Sequence, residues 1–190
     1  MARPLSEEKR TALLTAATNA VALAGVAAST TRIARDAGVA EGTLFVYFPT
    51  KDDLLNQLYL DLKSDLEEFL VIGYPVDATV EEQVRHIWNS LIDWGASKPG
   101  KLSALQQLGV SEKITEASRN AGAAMFTYCQ AMMDDGFKEG ILRQEVNPIL
   151  GEIIQALADM VMQLSARDPG KLEHYKYLGW EALWGAIAHR

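Results

Sequence analysis

Apolar residues return every three or four positions along most of this chain, and breaks in that rhythm mark its elements. Leu54, Leu55, Leu58, Leu62, Leu66, Phe69 and Leu70 form one stripe, which predicts an amphipathic helix from Lys51 to about Ile72. Before it, Leu13, Ala16, Ala17, Ala20, Val21 and Leu23 predict a first helix. Ser6 caps that helix, Glu7 and Glu8 sit where its dipole favours anions, and Gly25 ends it. Between the two lie short segments. Ile33, Ala34 and Ala37 make one apolar face after a cap at Ser29, and Gly38 suits the left-handed backbone that stops a helix. Glu41–Phe48 follows with Leu44 and Phe48 one turn apart and inward, and Gly42, Thr43 and Val46 outward between Phe45 and Tyr47.

The remainder also has helical spacing. Gly73-Tyr74-Pro75 breaks the chain, and a helix over 78–97 carries Val80, Val84, Ile87, Trp88 and Leu91. After Lys98-Pro99-Gly100 the pattern predicts helices at 102–110 and 114–138. Another is capped by Asn147 with Pro148 at its first position, and a last one covers 171–189. No strand signal and no internal repeat is present. The expectation is an all-α fold of about nine helices. Residues 1–50 form a three-helix helix–turn–helix domain, helix 51–72 connects, and residues 73–190 form a larger helical domain, which the family resemblance described below assigns to effector binding and dimerisation.

A helix–turn–helix presents its second helix to the major groove of DNA, and the outward side of Glu41–Phe48 suits that task. Lys51 adds an independent signal. Thr50 and Asp53 form a capping-box variant, which leaves a lysine at the first turn of a helix, where its sign opposes the dipole. Local stability does not explain that lysine; a backbone phosphate does.

The run IARDAGVAEGTLFVYFPTKDDLL resembles the signature of the TetR family of bacterial transcriptional regulators. It pairs an isoleucine–alanine helix and an alanine–glycine turn with a Gly-Thr-Leu-aromatic recognition helix, a Tyr-Phe pair and a Thr-Lys-acid helix start. GFKEGILRQEVNP is a weaker echo of the turn before the family's last two helices. The resemblance implies a ligand-responsive regulator, by habit of the family a repressor, that binds a palindromic operator as a homodimer and is released by a small effector. It also implies that Ser29, Thr30 and Thr31 set hydroxyls against the DNA backbone. Arg32 reads either as a base or phosphate contact or as a solvated surface arginine. Ala40 departs from the pattern, since a capping serine often stands there. Glu41 departs too: it either accepts from cytosine N4 or complements the helix start. The expected DNA-binding set is therefore Ser29, Thr30, Thr31, Arg32, Glu41, Gly42, Thr43, Phe45, Val46, Tyr47 and Lys51, with Arg3, Lys9 and Arg10 as further cations within reach of phosphates or simply solvated.

Charge refines this picture. The chain of 190 residues has a net charge of −7, which argues against a general polyanion binder. Residues 1–60 hold six basic and six acidic side chains, so the acidity belongs to the remainder. Affinity for DNA then rests on a few placed contacts and on dimerisation. One cysteine, Cys129, excludes an internal disulfide and suits a reducing cytoplasm. No signal peptide and no uninterrupted apolar run of membrane-spanning length is read, so no membrane partner is expected.

Trp88, Leu91, Met125, Tyr128, Cys129 and Met132 are soft or aromatic residues with few charges on their stripes, and predict a cavity for an apolar or aromatic effector; the alternative is an ordinary core. On the last two helices, Ile153, Leu157, Met160, Leu164, Tyr175, Gly179, Trp180, Ala182, Leu183 and Ala186 offer more apolar surface than one monomer readily buries. They predict a twofold helical interface, or else a central core helix. Catalysis finds little support: the three histidines are scattered, and no metal-ligand spacing or phosphate-cradling loop occurs, so neither metal nor cofactor is expected. The competing reading is an all-helical carrier or enzyme whose N-terminal hairpin only resembles a DNA reader.

Overall fold

The computed structural model describes residues 6–189. Arg3 lies outside them. Among the described residues there are ten α-helices and three short 3₁₀ turns, which cluster into two compact units.

The first unit runs to Asp65 and takes up the chain again at Lys98–Met125. It contains α1 (Glu7–Ala24), α2 (Thr30–Asp36), α3 (Glu41–Tyr47), most of α4 (Lys51–Val71), α6 (Pro99–Gly109) and α7 (Glu116–Ala124). Ser6 caps α1 by accepting from the Lys9 amide, and Gly25 stops it at φ 62°. Gly38, at φ 71°, closes α2, and Val39 then donates to the Ala34 carbonyl while its side chain packs on the core. That core is Leu13, Ala17, Val21, Ile33, Leu44, Phe48, Leu54 and Leu58, to which α6 adds Ala104 and Leu108. Alanines on α1 and α2 permit the close crossing, since a larger side chain there would hold the helices apart.

Two polar ties bring α6 and α7 into this unit. Asp65 pairs with both Lys98 and Lys101, at the start of α6. Asn56 on α4 donates to the Lys113 carbonyl and accepts from the Thr115 amide, each at 2.9 Å, which fixes the approach to α7. The compact units therefore differ from a division at residues 50 and 73, because segments remote in sequence complete the N-terminal core.

The second unit is Leu66–Ser97 and everything from Phe126. It holds the end of α4, α5 (Val80–Ser97), α8 (Thr127–Lys138), α9 (Leu150–Arg167) and α10 (Leu172–Ile187). Trp88 is its largest fully buried side chain beside Trp94, and the Trp88 indole donates to the Lys176 carbonyl at 3.0 Å. Gly179 makes the approach of α10 possible: a Cβ there would stand 2.6 Å from both Trp88 and Val161.

Three sequence expectations are corrected. The single helix over 114–138 is two, α7 and α8, interrupted at Met125–Phe126; α7 seats Gly122 on Tyr59 within the first unit, and α8 packs within the second. Asn147 does not cap a helix. Gln144–Ile149 is a 3₁₀ turn with Pro148 inside it, because Arg143 and Gln144 are held by the Ile187 and Phe137 carbonyls, and α9 begins at Leu150 without a side-chain cap. The end of α10 leaves the helix to form an isolated antiparallel bridge, Leu142 with Ala188. In addition, the segments Glu7–Ala27 and Gln144–Arg167 are long and apolar enough to span a membrane by length and composition alone. The apolar side of α1, however, is occupied by the helix–turn–helix core.

Candidate nucleic-acid interface

The turn between α2 and α3 sorts their side chains into two sets. Leu44 and Phe48 are buried, while Gly42, Phe45 and Val46 are exposed, Val46 to 63% and Phe45 to 40%. Thr43 is half-buried, and its hydroxyl has no partner among the described residues. The face opposite the core is thus small and apolar, with a single hydroxyl.

The departures at Ala40 and Glu41 act together. Ala40 caps α3 with no side-chain bond. Glu41 is instead committed inside the protein, since its Oε1 accepts from the Thr30 hydroxyl at 2.7 Å and from the Thr31 hydroxyl at 2.9 Å. Both bonds fall on Oε1, so the carboxylate clamps α2 to α3 and complements the α3 dipole while Oε2 keeps its acceptor capacity. The same bonds use the protons that Thr30 and Thr31 would have given to phosphate, so their oxygens remain only as acceptors. Ser29 caps α2, accepting from the Arg32 amide, and keeps its own proton. Arg32 is exposed and loosely paired with Asp36 at 3.5 Å.

Tyr47 is half-buried and packs on the core. Its oxygen accepts from the Ser6 amide at 2.9 Å, so the ring braces the start of α1 while the phenolic proton stays available. Lys51 has no ion-pair or hydrogen-bond partner among the described residues. Its acidic neighbours are engaged elsewhere, Asp52 with Lys113 at 3.1 Å and Asp53 with the Thr50 amide and hydroxyl. Arg10 is held by the Gln57 carboxamide and lies over the Phe48 ring, whereas Lys9 is exposed.

Within the second unit an apolar cavity of about 60 Å³ lies among α5, α8, α9 and α10. Of the residues expected there, Trp88, Cys129 and Met132 line it. Leu91, Met125 and Tyr128 do not, and Met125 belongs to the other compact unit. The wall is completed by Val84, Ile87, Met133, Leu142, Leu150, Ile154, Leu183 and Ile187. Burial pushes the Cys129 thiol up to about 11, and it raises the Tyr128 phenol above its ordinary range, with nearby Cys129 adding to the shift. The Tyr128 hydroxyl is itself buried without a hydrogen bond among the described residues, and its ring meets Tyr74 edge-on at 4.9 Å. His86 Nε2 lies 2.9 Å from the Leu70 carbonyl oxygen, which places the ring proton on that nitrogen and joins α5 to the end of α4.

The expected interface residues separate in the same way. Gly179, Trp180 and Leu183 face inward: Trp180 is buried, stacked on Trp184 and covered by the Arg85 guanidinium, and Leu183 lines the cavity. Met160 and Ala182 are exposed, and Ile153, Leu157, Leu164, Tyr175 and Ala186 are half-buried. Ile149, Tyr177 and Leu178 are exposed apolar residues outside the expected interface set. Among the described residues no cluster of histidine, cysteine or acidic side chains is built to hold a metal ion.

Residues 13–58 match the family model described as bacterial regulatory proteins, tetR family. The nucleoid occlusion factor SlmA of Mannheimia succiniciproducens is 27% identical over 98 residues, 52% of this chain and 44% of that protein. The match thus spans less than half the length of that curated relative. Among solved structures, a tetR family transcription regulator from Shewanella sp. PV-4 superposes with a TM-score of 0.87 at 23% identity, covering 96% of this chain and 99% of that one. A TetR family transcription regulator from Marinobacter aquaeolei VT8 also gives 0.87, at 22% identity, covering 97% of each chain. At such identities these two show a common fold.

Proposed function

From the match of residues 13–58 to the tetR family model and the shared fold, we propose that the chain is a bacterial transcription regulator of the TetR family that works in the cytoplasm as a homodimer. The dimer binds a palindromic operator and represses transcription until a small apolar molecule enters the second unit. The observation that carries the DNA-binding part is the outward side of α3: Gly42, Thr43, Phe45 and Val46 lie on the face away from Leu44 and Phe48, and Lys51 is unpaired beside them. A solvated surface helix carries charged side chains outward; this one carries none, which suits a surface that meets base edges.

For the dimer, support comes from the outer side of α9 and α10, where Ile149, Met160, Tyr177 and Leu178 are exposed together with Ala182. A twofold pairing of these helices would bury them. For the effector, support comes from the wholly apolar wall of the cavity. Its volume of about 60 Å³ is well below what a benzene-sized guest needs, roughly 150 Å³, so entry needs the wall to give, and the flexible side chains of Met132 and Met133 are suited to that.

The decisive experiment is selection of duplexes from a random pool by the full-length protein, followed by sedimentation of the complex. A palindromic consensus bound by two chains supports the reading. A failure to enrich any sequence at low salt would overturn it in favour of a carrier.

A further inference from the structure

Two features of α3 are unexplained by its role inside the protein. The first is Gly42. It lies in regular helical backbone, and a Cβ added there would meet nothing within 4 Å. Glycine is a weaker helix former than alanine, and at this second position of α3 neither packing nor backbone conformation requires it. The second is Val46, exposed to 63%, one turn after Gly42 and roughly 160° around the helix from buried Leu44.

The chemistry of the remaining outward residues narrows what this face can read. Between Gly42 and Tyr47 there is no arginine, lysine, asparagine or glutamine. The bidentate pairings with guanine or adenine are therefore closed to this helix. Glu41, the one charged group on α3, is tied to Thr30 and Thr31 through Oε1 at the start of the helix, and as an acceptor it can meet only a cytosine amine. What an aliphatic side chain can distinguish in the major groove is the C5-methyl of thymine, the only apolar group that base edges present there.

We propose that Val46 reads a thymine C5-methyl group in each operator half-site, and that Gly42 is bare so that α3 can approach the duplex closely enough for that contact. The inference rests on the reading of α3 as the groove-facing helix, and it names the base chemistry that this helix selects.

The test uses the duplex enriched by the full-length protein from a random pool, with each thymine replaced in turn by deoxyuridine. That exchange removes one methyl and leaves the pairing and the O4 acceptor unchanged. At one thymine per half-site the wild-type protein should bind about fourfold more weakly, the worth of one buried methyl. Val46→Ala should bind the thymine duplex about as weakly and be indifferent to the exchange at that position. Gly42→Ala should melt at a higher temperature than the wild type yet bind the same duplex more weakly. An enriched duplex whose affinity survives every deoxyuridine exchange would overturn the proposal while leaving the regulator reading intact. An exchange that still matters in Val46→Ala would move the contact to another residue and overturn it too. No enrichment at all would remove the regulator reading and this one with it.

Discussion

The Thr30 hydroxyl donates to Glu41 Oε1 at 2.7 Å, tying the first helix of the helix–turn–helix to the second across the turn. With the matching bond from Thr31, one carboxylate holds two helix starts. Glu41→Ala should therefore lower stability by about 1 kcal/mol, and Glu41→Gln, which retains an acceptor oxygen, should recover part of it. Urea denaturation of the three proteins checks this; equal midpoints would mean that the clamp carries no net stability. Affinity for duplex should fall in Glu41→Ala despite the lost negative charge, because the angle between α2 and α3 is no longer held.

Thr43 and Tyr47 appear alike in the sequence, yet their substitutions should behave differently. Thr43 has no partner among the described residues, so Thr43→Val should leave thermal stability unchanged while weakening binding to the enriched duplex. Tyr47→Phe removes the acceptor of the Ser6 amide at the start of α1. It should cost about 1 kcal/mol of stability as well as affinity. Parallel thermal melts and binding titrations separate the two.

Lys51 gives a sharper electrostatic test. Having no partner in the described structure, it can be removed without loss of stability. Lys51→Ala should weaken binding to every duplex alike and flatten the slope of log K against log salt by about one unit. A slope equal to the wild type would exclude Lys51 from phosphate contact.

Met160 is exposed to 45% on the outer side of α9. Met160→Glu would place a carboxylate in the proposed interface and should shift sedimentation from dimer to monomer, with helical content by circular dichroism unchanged. Trp180→Ala, by contrast, removes a buried ring stacked on Trp184 and should destabilise the fold itself by about 3–5 kcal/mol. A dimer that survives Met160→Glu would place the interface elsewhere.

Much of the first unit was legible in the chain because its determinants are local. Ser6, Ser29 and Thr50 cap helices through bonds that reach three residues ahead, and Gly25 and Gly38 stop helices at positive φ. Such signals do not depend on what packs where. The second unit was less legible. Its stripes were visible, but a stripe says only that a face is apolar, not which neighbour covers it. Gly179, Trp180 and Leu183 therefore read as interface residues, whereas within the monomer Trp88 and Val161 already close on Gly179, and Trp180 and Leu183 are buried. Leu142, Leu150 and Ile187 had no local mark of a cavity wall, because that wall is assembled from helices far apart in sequence.

The period of apolar residues and the capping chemistry were enough to establish an all-helical chain with a short helix at Glu41–Tyr47, since each depends on bonds within a few residues. Which hydroxyls are free and which carboxylate is occupied depended on the α2–α3 crossing. So did the distinction between an outward Val46 and an inward Leu44. Those are distances between side chains on different helices, and a hydrogen bond of 2.7 Å between Thr30 and Glu41 exists only once packing has brought the two helix starts together.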